Sequence, residues 1–286
     1  MQFTGLTPTS PSIAPIVISW GRWDVDNLAC GERPASQTLF EVGLAHHSDE
    51  VAETQRLRYR IFGLEMGAKV HAPDGLEQDR FDPFCHHLYV RDVRSGDIVS
   101  STRILTRRGA RSAGGYYSEG EFDLGSVSRL RGEVIEIGRT CVHRDHRGGA
   151  AIGMLWAGLA GFIDLNRVDY LIGCASVPMR DGGVQATAIM EQVRSRHMSP
   201  DDLRVTPRQP LPAVRLDANV RPVLPPLLKA YLRIGAWVCG EPSWDVEFGV
   251  ADLFILLDVE RIETRYVQHF MERVGAAPPR VYAVAS

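Results

Sequence analysis

From Thr38 onward the apolar positions fall into short segments, some alternating or continuous as in strands, others spaced as on a helix face. The segment LFEVGLAHH predicts a first strand. A helix follows over DEVAETQRLRYRIFGLEMG, with Val51, Leu57, Ile61, Phe62 and Leu64 as its apolar side. Ser48 or Asp49 is its expected cap, because a side-chain oxygen there accepts from the free first-turn N–H groups. HHLYVRD and DIVSSTRILT read as two strands, and Ser95-Gly96-Asp97 between them is turn chemistry, so a hairpin is expected. The polar, Gly-rich stretch from Arg107 to Gly120 predicts a mobile loop. EVIEIGRTCVH is a strand, RDHRGG a turn, and AAIGMLWAGLAGFIDLN a helix. YLIGCASV is another buried strand, and Val184 to His197 a helix. Pro225 and Pro226 place proline in the first turn of a helix over LLKAYLRIGAWVCG. ADLFILLDV is a strand with an almost continuous apolar run, and RYVQHFMERVG is a last amphipathic stretch.

This order of strands and helices predicts an α/β chain with a mixed sheet and helices on its faces. Residues 1–37, rich in Pro, Ser, Thr and Gly, read as a tail or loosely docked arm in which Ile16 to Trp20 can add a strand or cover an apolar face. Residues 38–286 form one domain, with a C-terminal extension from about residue 198. With 286 residues, 44% hydrophobic and 23% charged, the chain can bury a sizeable core. A net charge of −3 removes the basic footprint that nucleic acid demands. Five cysteines, Cys30, Cys85, Cys141, Cys174 and Cys239, are scattered with no paired spacing, which fits buried thiols in a reducing cytoplasm rather than a disulfide framework. A signal-peptide pattern and an apolar run of about 18 residues are both missing from the sequence, so a cytoplasmic location without a membrane span is expected.

The chemistry concentrates in EIGRTCVHRDHRGGAAIGMLW, Glu136 to Trp156, where a strand runs through an Arg/Gly turn into a helix. The first N–H groups of such a helix lack partners and the helix dipole is positive there, so the end binds phosphate. Gly148 and Gly149 let the backbone approach a ligand, and Arg144 and Arg147 add positive charge. The turn Arg147-Gly148-Gly149-Ala150-Ala151-Ile152 resembles the acyl-thioester site of GNAT enzymes, Arg/Gln-x-x-Gly-x-Gly/Ala, with Ala150 where that family places glycine and Ile152 where it places glycine or alanine. The resemblance implies an acyl donor with one phosphate, the acyl-phosphopantetheine arm of an acyl carrier protein, in preference to acetyl-CoA. It implies no permanently bound cofactor.

A second set of residues sharpens the resemblance. Arg56 and Phe62, then Glu77, Asp79, Phe81 and Asp82, then Ser101-Thr102-Arg103, and Glu136 with Arg139 are spaced as in acyl-homoserine-lactone synthases. LPPLLKAYLRIGAWVCGEPSWDVEFGVADLFILLDVERI, with GRTCVHRDHRGGAAIGMLWAGLA and YLIGCAS, is similar to the ornithine N-acyltransferase family of ornithine-lipid synthesis. That likeness, over residues 38 to 275, implies transfer of a 3-hydroxylated fatty acyl group from acyl carrier protein to the α-amine of ornithine, giving lyso-ornithine lipid. Rival readings are the same chemistry on another amino acid or a homoserine-lactone precursor, acetyl-CoA-dependent acetylation, and a non-catalytic acyl-carrier-binding protein on the same scaffold.

The acceptor amine must lose a proton, and Glu136 is the first choice of base; the alternative is a structural carboxylate paired with Arg139 or Arg103. Backbone N–H groups of Cys141, Val142 and His143 are candidate oxyanion donors. Cys141 itself reads as a buried thiol, since direct transfer needs no covalent intermediate. Donor binding falls to Val142, His143, Arg144, Arg147, Gly148, Gly149, Ala150 and Ala151. Glu77, Asp79 and Asp82 either hold the cationic side chain of ornithine or form ion pairs with Arg80, Arg103 or Arg139. Arg103 and Arg139 can instead bind its carboxylate, and Ser176 is a further acceptor contact. His86 and His87 point to opposite faces of a strand, so no metal is expected there or at His143 and His146. Arg107, Arg108 and Arg111 are either solvated or dock an acidic carrier protein. LLKAYLRIGAWV either packs in the core or lies against a membrane as a peripheral contact.

Overall fold

The computed structural model describes residues 23–24, 39–147 and 149–262. Gly148, most of the predicted arm, and the stretch RYVQHFMERVG lie outside the described residues. The short strand β1 (Trp23–Asp24) pairs with β2 (Leu39–Leu44), so part of the arm joins the sheet. Helix α1 (Ser48–Arg58) follows. Its start is one residue earlier than the expected caps allow: Glu50 reaches back to accept from the amides of His46 and His47. The helix then widens into a π-helical turn, Tyr59–Glu65. β3 (His86–Asp92) and β4 (Ile98–Thr106) form the expected hairpin, with Gly96 at a φ of +79° in its turn.

The predicted mobile loop is ordered instead. It holds helix α2 (Arg107–Ala113), capped by the Thr106 hydroxyl, and a 3-10 turn, Tyr117–Gly120. Periodicity could not announce these, because their order comes from long-range bonds to a buried strand. After β5 (Phe122–Asp123) come that strand, β6 (Glu133–Val142), helix α3 (Ala150–Asn166), β7 (Val168–Pro178) and α4 (Val184–Arg194). The last part holds β8 (Thr206–Pro207), α5 (Pro226–Arg233), β9 (Trp237–Val238), β10 (Ser243–Asp245) and β11 (Val250–Asp258). The helix expected over LLKAYLRIGAWVCG therefore stops at Arg233; Gly235 has a φ of +95° and Trp237 starts a strand.

The main sheet runs β1-β2-β3-β4-β6-β7-β11-β10, antiparallel throughout except that β6 and β7 are parallel. The crossover between them is α3, as parallel neighbours require. One face packs Val42, Leu88, Ile104, Ile135, Leu171 and Leu253 against α3, α4 and α5. α5 contributes Leu228, Tyr231 and Leu232, so the basic, aromatic segment is largely core. The other face carries α1, through Leu57, the π-helical turn, through Ile61, and a cluster around Phe122, Ile172 and Phe254. Among the described residues no helix is long and apolar enough to cross a membrane.

Candidate active site

Two irregularities open the sheet at β6. Between the pairs Ser101↔Cys141 and Arg103↔Gly138, β4 has one residue, Thr102, where β6 has two, Arg139 and Thr140. This bulge bends β6, and it holds Arg139 at a φ of +53°, a conformation that costs a non-glycine residue roughly 1–3 kcal/mol. On its other edge, β6 pairs with β7 only as far as Ile137↔Gly173, although β6 continues to Val142 and β7 to Pro178. The strands meet closely at the last pair, where a Cβ on Gly173 would lie 2.4 Å from the Ile137 carbonyl oxygen, and then diverge. The gap leaves backbone groups of β6 unpaired by the sheet. The His143 amide donates to the Val99 carbonyl at 2.7 Å, so it is not free for an oxyanion. By the alternation of an antiparallel ladder Cys141 also turns toward β4, and Val142 turns into the gap.

A cavity of 1020 Å³ occupies the gap and extends to both faces of the sheet. Toward one face it is apolar, walled by Ile152 and Trp156 of α3 and by Leu227, Leu228, Tyr231 and Ile234 of α5 or its end. The Trp156 and Tyr231 rings meet edge to face at 5.4 Å. Toward the other face it is polar, with Glu136, Arg139, Tyr117, Ser176, Asp245 and Asp252 on its wall. Glu136, Ser176 and Asp252 share that face through the pairs Glu136↔Ile172 and Ser176↔Asp252.

Glu136 is 4% exposed and accepts from the amides of Tyr117 at 2.6 Å and Ser118 at 2.9 Å. Burial raises its pKa and these hydrogen bonds oppose the rise. The ordered segment after α2 thus exists to hold this carboxylate, which makes no ion pair with Arg103 or Arg139. Burial pushes the Cys141 thiol up to about 11, which leaves it protonated and without nucleophilic character near neutrality.

Glu77, Asp79 and Asp82 are each ion-paired with arginines. They form a buried network with three guanidiniums. Arg58 lies 2.5 Å from Glu77 and 2.8 Å from Asp82, Arg103 is 2.7 Å from Asp79 and 3.2 Å from Asp82, and Arg139 is 3.0 Å from Glu77 and 3.2 Å from Asp79. Three negative and three positive charges cancel there. Arg80 stays outside, donating to the Ala113 carbonyl. The sequence reading singled out Arg56; the residue in the network is Arg58, whose side chain is 1% exposed. Arg139 also stacks between Tyr117 and Phe248, with centroid distances of 4.7 and 4.6 Å. Neither aromatic was legible as a site residue.

At the donor end, Gly149 caps α3 at a φ of +108°, as a left-handed glycine must, and Ala150 and Ala151 open the helix. Arg144 and Arg147 are exposed. Arg147 grips Glu65 with two bonds of 2.5 and 2.9 Å and donates to the Val142 carbonyl, tying the π-helical turn to the end of β6. His86 lies against Phe162, whereas His87 is buried beside Asp82, so the pair faces opposite ways.

A strand with a bulge, a parallel neighbour that splays from it, and a helix N-terminus at the open end define the class of GNAT acyltransferases. The acetyltransferase (GNAT) domain family matches residues 57–157. L-ornithine N(alpha)-acyltransferases from Rhodobacter capsulatus and Brucella abortus are each 32% identical, over 84% and 81% of this chain and 98% and 88% of their own. The chain belongs to the L-ornithine N(alpha)-acyltransferase family and is an N-acyltransferase. Among solved structures, a CoA-dependent acyl-homoserine lactone synthase, BjaI, with MTA matches with a TM-score of 0.50 and 16% identity, over 82% of this chain and 89% of that one, a likeness of fold.

Proposed function

We propose that the protein transfers a long-chain, 3-hydroxylated acyl group from the phosphopantetheine arm of acyl carrier protein to the α-amine of L-ornithine, giving lyso-ornithine lipid. The observation that carries this is a cavity with an apolar arm on one side of the sheet and a polar chamber on the other, joined at the β6–β7 gap. A short acyl group would leave the apolar arm between α3 and α5 empty. A fatty chain fills it, and burying each methylene there contributes about 0.8 kcal/mol.

The thioester carbonyl sits at the gap, with the Val142 N–H toward its oxygen. The pantetheine extends along the open edge of β6 to the α3 N-terminus, where Gly149, Ala150 and Ala151 present amides to its phosphate. The acceptor enters the polar chamber. Glu136 takes the proton that the amine loses as its nitrogen bonds to the thioester carbon. The carbon–sulfur bond then breaks with its electron pair going to sulfur, and the proton held by Glu136 is passed on to the thiolate, so that the carrier leaves as the thiol.

The test is a product assay on the purified chain with pooled amino acids, once with long-chain 3-hydroxyacyl carrier protein and once with acetyl-CoA. N-acylornithine formed from the carrier protein alone is the expected result. Acetylated product, or acylation of a different amino acid in preference, overturns the donor or the acceptor assignment respectively.

A further inference from the structure

The acids around the polar chamber, of which Asp245 and Asp252 line it, are of two kinds. Glu77, Asp79 and Asp82 each face guanidiniums within 3.2 Å. Glu121, Asp245 and Asp252 have no ion pair among the described residues. Asp252 is 4% exposed, lies inside β11 between the buried apolar residues Ala251 and Leu253, and lines the cavity. Its Oδ1 accepts from the Ser176 hydroxyl at 2.5 Å. Carboxylate oxygens of Glu121 and Asp252 lie within 4.8 Å of each other, and Oε1 of Glu121 is buried with no hydrogen-bond partner. Asp245, on the same wall, accepts from the Phe248 amide at 2.9 Å. Two acids pressed together out of water are relieved either by a proton held between them, which raises the pKa of both, or by a cation that arrives and takes its place. Arg139, a guanidinium on the same wall, is committed to Glu77 and Asp79.

We infer that Glu121 and Asp252, with Ser176 orienting Asp252 and Asp245 adding charge, form the subsite that takes the side-chain ammonium of the acceptor and so selects a diamino acid. The inference rests on the proposed acceptor reading and deepens it. A primary ammonium has three donors, which two carboxylates can accept without a change in their own packing. An acceptor of the same carbon skeleton that ends in a methyl group would leave both acids unpaired and be rejected for that reason. The remaining candidate occupant is a metal ion, because the Cys174 thiol lies within 4.8 Å of both carboxylates. Burial raises that thiol well above its ordinary range, so it is a poor thiolate ligand.

The test is calorimetric titration of the full chain, in the presence of a non-transferable acyl-pantetheine thioether, with ornithine and with norvaline, which lacks the side-chain amine. Wild type should bind ornithine at least about 30-fold more tightly than norvaline, as expected for a buried charge pair. Asp252→Asn and Glu121→Gln, which keep shape and remove charge, should each reduce that preference by most of its value while thioether binding stays constant. Retention of the full preference by both variants overturns the subsite and leaves the ornithine reading intact. Wild-type binding of neither amino acid overturns both. A stoichiometric metal in the purified protein, lost in both variants, overturns the ammonium assignment.

Discussion

Glu136 shows how one carboxylate can be both buried and available. Its two oxygens each accept one backbone N–H, which fixes the side chain and leaves lone pairs toward the cavity it lines. Burial raises its pKa, which makes it a better proton acceptor than an exposed glutamate and moves the acid limb of the rate profile upward. Glu136→Gln keeps the shape and one acceptor oxygen. It should lower kcat by about 10²–10⁴-fold and leave acyl-donor binding unchanged, as measured by steady-state rates beside thioether titration. Unchanged kcat would make Glu136 a strut for the Tyr117–Gly120 turn and nothing more. That Glu136 lies on the central strand was legible from EVIEIG. That its partners would be the amides of Tyr117 and Ser118 was not, since the sequence there reads as a polar, glycine-rich loop.

At the scale of elements, the work is done by a strand that pairs well for half its length and then stops. The bulge at Arg139 and Thr140 and the close approach at Gly173 set where β6 and β7 part. Helices α3 and α5 then line the apolar side of the opening. Leu227 is half-buried on α5 and projects onto that cavity. Leu227→Trp should shorten the acyl arm: turnover of long-chain donors falls by roughly 10-fold or more while short-chain donors hold their rate, an overpacking effect of about 1–3 kcal/mol. A chain-length series of acyl carrier proteins reads this directly, and an equal loss at every length would place the acyl chain elsewhere. The strand–helix–strand unit was legible because β6, α3 and β7 carry clean periods and an Arg/Gly turn. The roof of the acyl arm was not, because the pattern in LLKAYLRIGAWVCG fits a helix that continues, and only Gly235 marks its end.

For the molecule as a whole, the two sets of buried acids have opposite consequences. Glu77, Asp79 and Asp82 are neutralised by Arg58, Arg103 and Arg139 and hold α1, the following loop, β4 and β6 together. The sequence showed these residue types in a suggestive spacing, but spacing cannot decide which acid meets which base; three-for-three neutrality is visible only in the fold. Asp252 was the reverse case. An acid inside ADLFILLDV is itself a signal of a functional or paired charge. Glu121 is raised by burial first and by the Asp252 charge next, and Asp252 is raised by burial. A carboxylate with a raised folded pKa adds stability below its unfolded pKa, and that stability is lost as pH climbs from there toward the folded value. Without acceptor, the protein should therefore lose stability from pH 5 to pH 8 through this pair. Glu121→Gln should melt higher than wild type at pH 8, with a smaller difference at pH 5. A difference independent of pH would mean that Glu121 is not strained by its burial.

The central claim is that the acyl chain and the acceptor meet at the β6–β7 gap with the acceptor's side-chain ammonium turned away into the chamber. Tandem mass spectrometry of the product made from ornithine and long-chain 3-hydroxyacyl carrier protein locates the new amide. Acylation of the α nitrogen, with the δ-amine free, is the predicted result. Acylation of the δ nitrogen would mean that ornithine enters the chamber the other way round and would contradict the account.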